Sequence, residues 1–97
     1  MAVVVRRQYT STTIGQYDAL IASMGMQPGG PHVAPGLLFH FAVQTGDGFQ
    51  VTDVWDSVAA FEEYAKDQVA PALIAIGVPA PIRIEVTEVH NYNTAHR

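Results

Sequence analysis

The chain has 97 residues, a formal net charge of −4, 48% hydrophobic and 14% charged residues, and no cysteine. This length suits a single domain over residues 1–97, and the high ratio of apolar to charged residues predicts a folded chain. Only five Lys and Arg residues are present, so we expect no nucleic-acid partner. The lack of cysteine excludes disulfides and thiol nucleophiles.

Hydropathy and charge also bear on location and assembly. No apolar run approaches the ~20 residues of a membrane span, and the first residues lack the apolar segment of a secretory signal. We therefore expect a cytoplasmic protein with no membrane partner. So few charges on a small protein predict uncovered apolar surface, and hence a homodimer.

The first two predicted elements are a strand and an amphipathic helix. Residues from Ala2 to Tyr9 are rich in β-branched side chains, which indicates strand one. Thr13 and Gln16 have the spacing of a capping box, and apolar residues recur after them at helical intervals until Gly25. These apolar positions are Ile14, Tyr17, Ile21 and Met24.

A Pro- and Gly-rich stretch from Gln27 to Gly36 predicts a loop that covers a pocket. Leu37 to Gln44 then indicates strand two, and Phe49 to Trp55 indicates strand three. Thr45 to Gly48 between them is typical of a hairpin turn. This hairpin is the strongest local signal in the sequence.

The last predicted elements are a helix and a strand. Asp56 or Ser57 can cap helix two, Pro71 predicts a kink or restart within it, and Gly77 ends it. Its apolar face holds Phe61, Tyr64, Ala65, Val69, Leu73 and Ile76. Alternation over Ile82 to Tyr92 predicts strand four.

The order β-α-β-β-α-β predicts an α+β fold of ferredoxin-like type, with a four-stranded antiparallel sheet and both helices on one face. The strand two residues Phe39, Phe41 and Val43 would then leave apolar side chains on the other face. We expect that face to meet another sheet.

The segment Phe49 to Ser57, followed by Phe61 and Tyr64, resembles the dimeric α/β barrel superfamily, which includes antibiotic-biosynthesis monooxygenases and small polyketide cyclases. The resemblance depends on three features: an aromatic residue at the end of strand three, a Ser two residues later and a Phe in the next helix. The ending Glu88 to Tyr92 looks like that of small actinobacterial-type members.

This resemblance implies a dimer whose two sheets close into a barrel, with a pocket between each sheet and its helices. It implies flat, apolar polyketide substrates. In the monooxygenase branch, helix two commonly carries a His where this chain has Tyr64. This difference argues against assigning monooxygenase chemistry to this chain directly. The cyclase branch uses His and Tyr groups as acid and base.

The hairpin register supplies the candidate catalytic residues. If Gln44 pairs with Phe49, His40 lies opposite Asp53, with Leu38, Ala42, Val51 and Trp55 on the same face. A carboxylate beside an imidazole fixes its tautomer and gives a positioned general base. The alternative is a cross-strand hydrogen bond that only satisfies two polar groups.

Trp55, Phe61 and Tyr64 are predicted to line the substrate pocket, although an aromatic stripe on a helix can equally be core. His90 is a fourth candidate for substrate binding, on a polar ladder with Glu88 and Tyr92, or else an interface residue.

The other histidines and the cationic residues give weaker signals. His32 sits in the Pro/Gly loop and His96 in the tail, where histidines are usually solvated. Arg6, Arg7 and Arg83 could bind a substrate carboxylate or lie exposed on strands. No spacing enforces a metal site on His40, Asp53 and His90, and no phosphate-binding motif occurs. We expect neither metal nor cofactor.

Three functions fit these observations. The first is a cofactor-independent enzyme that acts on a small aromatic or polyketide-like molecule by general-base chemistry, as a cyclase, isomerase or monooxygenase. The second is a non-catalytic dimer that binds a small molecule. The third is a purely structural dimer.

Overall fold

The computed structural model describes residues 1–31 and 34–93. The candidates His32 and His96 lie outside the described residues. The elements are β1 (Val3–Thr10), α1 (Ile14–Ser23), β2 (Leu37–Gln44), β3 (Gly48–Trp55), α2 (Val58–Tyr64), a π-helical turn (Ala65–Val69), α3 (Ala70–Ile76) and β4 (Arg83–Glu88).

The helix ends follow the predicted signals. Thr13 caps α1, and its side chain and that of Gln16 each accept from the other's backbone N–H, which is a complete capping box. Ser57, rather than Asp56, caps α2 by accepting from a backbone N–H in the first turn. Gly77 ends α3 with a φ of 84°, the left-handed conformation that glycine adopts without strain.

The four strands form one antiparallel sheet in the order β2-β3-β1-β4. The arrangement is the predicted ferredoxin-like βαββαβ fold, with β3 and β1 in the centre. The register places His40 opposite Asp53 and Gln44 opposite Phe49, which confirms the predicted hairpin pairing.

A register shift near the start of β2 changes one detail of that pairing. Leu37, not Leu38, pairs with Trp55, and the shift falls between Leu37 and Phe39. Leu37 is buried as a result, whereas Leu38 is 36% exposed. The prediction that Leu38 shares one face with His40 and Trp55 is therefore wrong, because a bulge puts Leu37 in that position instead.

The core lies between the sheet and the helices in two adjoining clusters. One surrounds Tyr9, Phe49 and Leu73, and the other surrounds Trp55 and Phe61. Tyr64 packs against both clusters. The opposite side of the sheet is called here the open face. It carries the predicted apolar side chains Phe39, Phe41 and Val43, and the apolar side chains of Val4 and Val54 lie on the same face. Phe39, Phe41 and Val43 are 45–50% exposed there.

The predicted helix two is continuous through Pro71 but changes its hydrogen bonding before it. Backbone angles stay right-handed helical from Tyr64 to Ala70, and the Ala70 N–H donates to the Ala65 carbonyl, five residues back. This π-helical turn shifts the hydrogen-bond register next to the proline, which has no N–H to donate. Pro71 therefore lies at the first turn of α3, where its missing donor costs little.

Strand β4 is shorter than predicted. It ends at Glu88, after pairing with β1 from Gln8 to Val3, so His90 and Tyr92 lie beyond it. The predicted ladder of Glu88, His90 and Tyr92 is therefore wrong, because pairing with the first strand ends at Val3 apart from one more hydrogen bond, from Val89 N–H to the Ala2 carbonyl. In the described part of the chain, no helix has the length and apolar character needed to cross a membrane.

Candidate functional site

Asp53, in the middle of β3, is the centre of a buried polar network. Its side chain is 2% exposed. Oδ2 accepts from Arg7 Nη2 at 2.8 Å and from Trp55 Nε1 at 3.2 Å, and Oδ1 lies 2.6 Å from His40 Nδ1. His40 lies directly opposite Asp53 on β2, Arg7 lies diagonally across on β1, and Trp55 follows two residues later on β3 itself. All three side chains therefore share the face of Asp53.

The protonation of Asp53 follows from these neighbours. Burial by itself raises the pKa of this carboxyl, but the hydrogen bond with His40 and the charge of Arg7 outweigh it and hold the pKa below its usual value. Asp53 is therefore ionised at neutral pH, and an ionised carboxylate only accepts hydrogen bonds.

This fixes the tautomer of His40. Nδ1 must donate to Asp53, so in the neutral ring Nε2 is left as an acceptor. Nε2 lies 2.6 Å from Tyr17 Oη, and the Tyr17 hydroxyl donates to it. Tyr17, on α1, thus joins the His40–Asp53 pair as a third member, with the order Tyr17, His40, Asp53.

Arg7 closes the other end of the network. Its side chain is 9% exposed, Nη1 donates to Tyr9 Oη at 3.2 Å, and the guanidinium carbon lies 5.8 Å from the centre of the Phe61 ring. Within the described residues Nε has no hydrogen-bond partner. A buried guanidinium needs a counter-ion, and Asp53 is the carboxylate in contact with it.

Burial also affects the tyrosines around the network. It raises the pKa of Tyr17 to about 12, with the charge of Asp53 adding to the effect. It raises the pKa of Tyr9 and of Tyr64 as well, against the opposing charge of Arg7. All three therefore hold their protons at neutral pH and act as neutral hydroxyl groups.

The predicted aromatic residues come together beside the network. Trp55 is fully buried, with its ring centroid 5.9 Å from that of Phe61 and 5.4 Å from that of Tyr64. The Tyr64 hydroxyl donates to the Met24 sulfur at 3.5 Å. Trp55, Phe61 and Tyr64 thus form an aromatic wall behind Asp53.

The space inside this wall is small. An inner cavity of about 20 Å³ lies between sheet and helices, with Arg7, Asp53, Trp55 and Tyr64 among its lining residues. That volume holds about one water molecule and no aromatic ligand. The space beside Trp55 and Tyr64 is therefore too small for the predicted substrate.

Ligand-sized space lies outside, along the edge strand β2. This β2 groove has a volume of about 470 Å³, within the ~300–1,000 Å³ range of small-molecule sites. Its polar side chains are Tyr17, Gln27 and His40; the remaining lining comprises Ile21, Met26, Pro28, Gly29, Gly30, Pro31, Leu38, Phe39, Phe41 and Ala42. The predicted loop contributes residues 27–31, so this part of it does line a groove.

A second groove of about 600 Å³ opens at the start of α2. Tyr64 lies at its base, with Asp56, Glu63 and Asp67 among the lining residues. Neither His40 nor Asp53 is among the residues that line it.

The structure does not bring His90 to this site. His90 is exposed and follows the end of β4. The three residues considered as metal ligands, His40, Asp53 and His90, accordingly do not converge. Within residues 1–31 and 34–93 no group of three metal-ligating side chains occurs.

Sequence reasoning missed two members of the network, Arg7 and Tyr17. Arg7 alternates with Val5 and Tyr9, all buried on the core side of β1, and this period of two was the available signal. Tyr17 was grouped with the apolar residues of α1. Nothing in the sequence places its hydroxyl near His40, because the approach of α1 to β2 depends on packing. Arg83, by contrast, is exposed and pairs with Glu85 at 3.2 Å.

Comparison with known proteins bears on the fold. No protein-family model matches the sequence, and no curated protein matches it significantly. Among solved structures, a candidate antibiotic biosynthesis monooxygenase from Chloroflexus aurantiacus J-10-fl aligns over 96% of this chain and 98% of its own, with a TM-score of 0.64 and 24% identity. A protein of unknown function from Nitrosomonas europaea aligns over 99% and 94%, with a TM-score of 0.65 and 22% identity.

SnoaB, a cofactor-independent oxygenase from Streptomyces nogalater, aligns over 94% of both chains, with a TM-score of 0.60 and 15% identity. The fold predicted from the resemblance is therefore confirmed over nearly the whole chain. At these identities the likeness shows a shared fold and leaves the chemistry to the residues of the site.

Proposed function

We propose that this protein is a cofactor-independent enzyme that acts on a small aromatic or polyketide-like molecule by general-base chemistry. The observation that carries the proposal is the 2.6 Å contact between His40 Nδ1 and the buried carboxylate of Asp53. A pair of this kind presents a basic Nε2 in a defined direction. In this chain His40 lines the β2 groove.

The energetics favour a role beyond packing. Burying Arg7 and Asp53 together costs more free energy of desolvation than an apolar pair of similar size would. The arrangement holds His40 in one tautomer and one orientation, which a base requires and a core does not. Proton removal from a phenol or an activated methylene begins cyclisation, isomerisation and oxygenation alike. The fold shared with SnoaB is compatible with the last of these.

The test is turnover by wild type and by the His40→Gln variant of a panel of hydroxynaphthalenes and cyclic diketones, followed by oxygen uptake and by mass spectrometry of products. Glutamine keeps hydrogen-bonding capacity but cannot take a proton at neutral pH. We expect His40→Gln to lower kcat by about 10²–10⁴-fold. Equal turnover by both proteins would contradict the proposal.

A second candidate is a non-catalytic binding protein for small molecules. It is favoured by the closure of the interior, because the inner cavity is about 20 Å³ and Tyr17 already occupies His40 Nε2. A ligand that raises the melting temperature of wild type and His40→Gln equally, with turnover by neither, would select this function.

We also propose that the protein is a homodimer formed through the open face. Phe39, Phe41 and Val43 on that face are 45–50% exposed. They lie in one row on β2, with Val54 on the neighbouring strand β3 and Val4 on β1 beyond it. Sheet faces with contiguous apolar side chains are buried in proteins against another layer. A second copy offers a matching sheet, since a two-fold interface uses the same patch twice.

A further inference from the structure

The β2 groove and the inner cavity share one wall, and the wall contains the polar pair Tyr17 and His40. Both residues line both spaces, together with Ile21 and Met26. The wall therefore separates the groove, where a ligand fits, from the buried Asp53 and Arg7. A proton that moves from a ligand in the groove toward Asp53 has to pass through these two side chains.

Tyr17 controls the proton-accepting atom of His40. Nδ1 is committed to Asp53 at 2.6 Å, and Nε2 accepts from Tyr17 Oη at 2.6 Å. Neither ring nitrogen is therefore free to accept from a ligand while the wall is intact. A tyrosine hydroxyl, however, has two acceptor lone pairs besides its donor. The Tyr17 oxygen can thus accept from a ligand while its own proton stays on the bond to His40.

We infer that Tyr17 is the catalytic residue that receives the ligand's proton, and that His40 and Asp53 form a relay behind it. The inference rests on the proposed function and changes which atom meets the ligand. Arg7 is a positioning residue in this arrangement, since it holds Oδ2 of Asp53 while Oδ1 holds His40.

The proton transfer balances as follows. A ligand hydroxyl loses its proton to Tyr17 Oη, and the hydroxyl proton of Tyr17 passes to His40 Nε2. The products are a ligand oxyanion, a neutral Tyr17 and an imidazolium at His40, which faces the carboxylate of Asp53. Two O–H bonds break, and one O–H and one N–H bond form, with no change of oxidation state.

The lining of the β2 groove defines the class of ligand. Among the described residues that line it, the ionisable side chains are Tyr17 and His40 alone, and the remaining surface is mostly apolar. Such a site favours a neutral, flat molecule over a charged one, because the groove offers a bound charge no fixed counter-ion. With one hydroxyl on Tyr17, the ligand is a hydroxyaromatic compound. The imidazolium formed on transfer then balances the charge of its oxyanion.

The experiment uses para-nitrophenol, whose phenol and phenolate forms absorb at different wavelengths. The probe is titrated with full-length wild type, Tyr17→Phe and His40→Gln at a pH one unit below its own pKa. Tyr92→Phe serves as the matched tyrosine control, because Tyr92 is exposed beyond β4. Circular dichroism and melting temperature establish that each variant is folded, and phenylalanine keeps the Tyr17 ring packing against Phe49.

We expect wild type and Tyr92→Phe to hold the probe as phenolate. In His40→Gln the ratio of bound phenolate to bound phenol should fall about 10- to 10³-fold, the effect of removing a nearby opposite charge. The ratio should fall by a similar factor in Tyr17→Phe, because the proton then has no route to His40 and the imidazolium does not form. Phenolate that persists in Tyr17→Phe but is lost in His40→Gln would overturn the relay and leave His40 as a direct base.

Phenolate that persists in His40→Gln would overturn both the relay and the proposed function. Failure of the wild type to bind para-nitrophenol would overturn the inferred ligand class. The proposed function would then still be decided by the His40-dependent turnover of the diketones in the panel.

Discussion

Replacing Asp53 with asparagine tests how much of the protein's stability depends on the buried network. Asparagine keeps the shape of the side chain and removes its charge. Arg7, whose side chain is 9% exposed, then remains as a buried cation without its counter-ion. The amide group also turns one acceptor oxygen into a donor, so one of the contacts to Arg7, His40 and Trp55 becomes donor against donor.

The expected cost is about 3–5 kcal/mol of unfolding free energy, the range for breaking a buried ion pair by removing one partner. For a chain of 97 residues this lowers the melting temperature by about 15–25 °C. Urea denaturation, followed by the fluorescence of Trp55, the single tryptophan, measures the loss of unfolding free energy directly.

The matched control is the double variant Arg7→Met/Asp53→Asn, which removes both charges. It should be less destabilised than Asp53→Asn alone, because no uncompensated buried charge remains. A loss below about 1 kcal/mol in Asp53→Asn would refute the reasoning. So would a double variant at least as unstable as the single one.

The same ionised carboxylate predicts a pH dependence. Burial raises the pKa of Asp53, but His40 and Arg7 outweigh burial, so the folded protein has the lower pKa. The ionised Asp53 therefore contributes its full stabilisation above the pKa that this carboxyl has in the unfolded chain. That stabilisation is lost as the pH falls through the pKa of Asp53 in the folded protein. Wild-type stability should therefore fall more steeply below about pH 4 than that of Asp53→Asn. Parallel curves of unfolding free energy against pH for wild type and Asp53→Asn would contradict the assignment of Asp53 as a buried anion.

Two further substitutions have matched controls in this chain. Gly48→Ala should cost about 1–3 kcal/mol in urea denaturation, because an added Cβ would overlap the carbonyl group of Tyr9. Gly46→Ala should cost little, since no atom of the described residues lies within 4 Å of its Cβ, and equal losses would contradict this packing. Phe41→Glu on the open face should weaken the proposed homodimer by at least about tenfold in sedimentation equilibrium, because it buries a charge. Ile74→Glu, 83% exposed on α3, should leave association unchanged; a monomeric wild type, or equal effects, would contradict dimerisation through the open face.

Local patterns predicted the elements of this fold well. The hairpin register follows from a short turn between Gln44 and Phe49, and a short turn leaves the strands few ways to pair. The His40–Asp53 contact was predictable for that reason. The capping box at Thr13 and the left-handed Gly77 are also local, since each involves neighbours within a few residues.

The extent of strand four could not be predicted, because its cause lies outside the segment concerned. The alternation of strand four continues to Tyr92, but a strand needs a partner, and β1 provides one only as far as Glu88. Pro71 indicated a kink or a restart. The structure has a π-helical turn at Ala65–Val69 and a new α-helix from Ala70, a form of restart that the proline alone did not specify.

The sequence by itself determined the order of elements, the two faces of the sheet and the pairing of His40 with Asp53, because each depends on chain periodicity and short connections. Only the tertiary structure decided that Arg7 is buried against Asp53, that Tyr17 reaches His40, and that the ligand-sized space lies along β2 rather than behind Trp55. These features depend on how closely α1 and α2 approach the sheet. That distance is the outcome of side-chain packing across the whole core, and no single segment of sequence contains it.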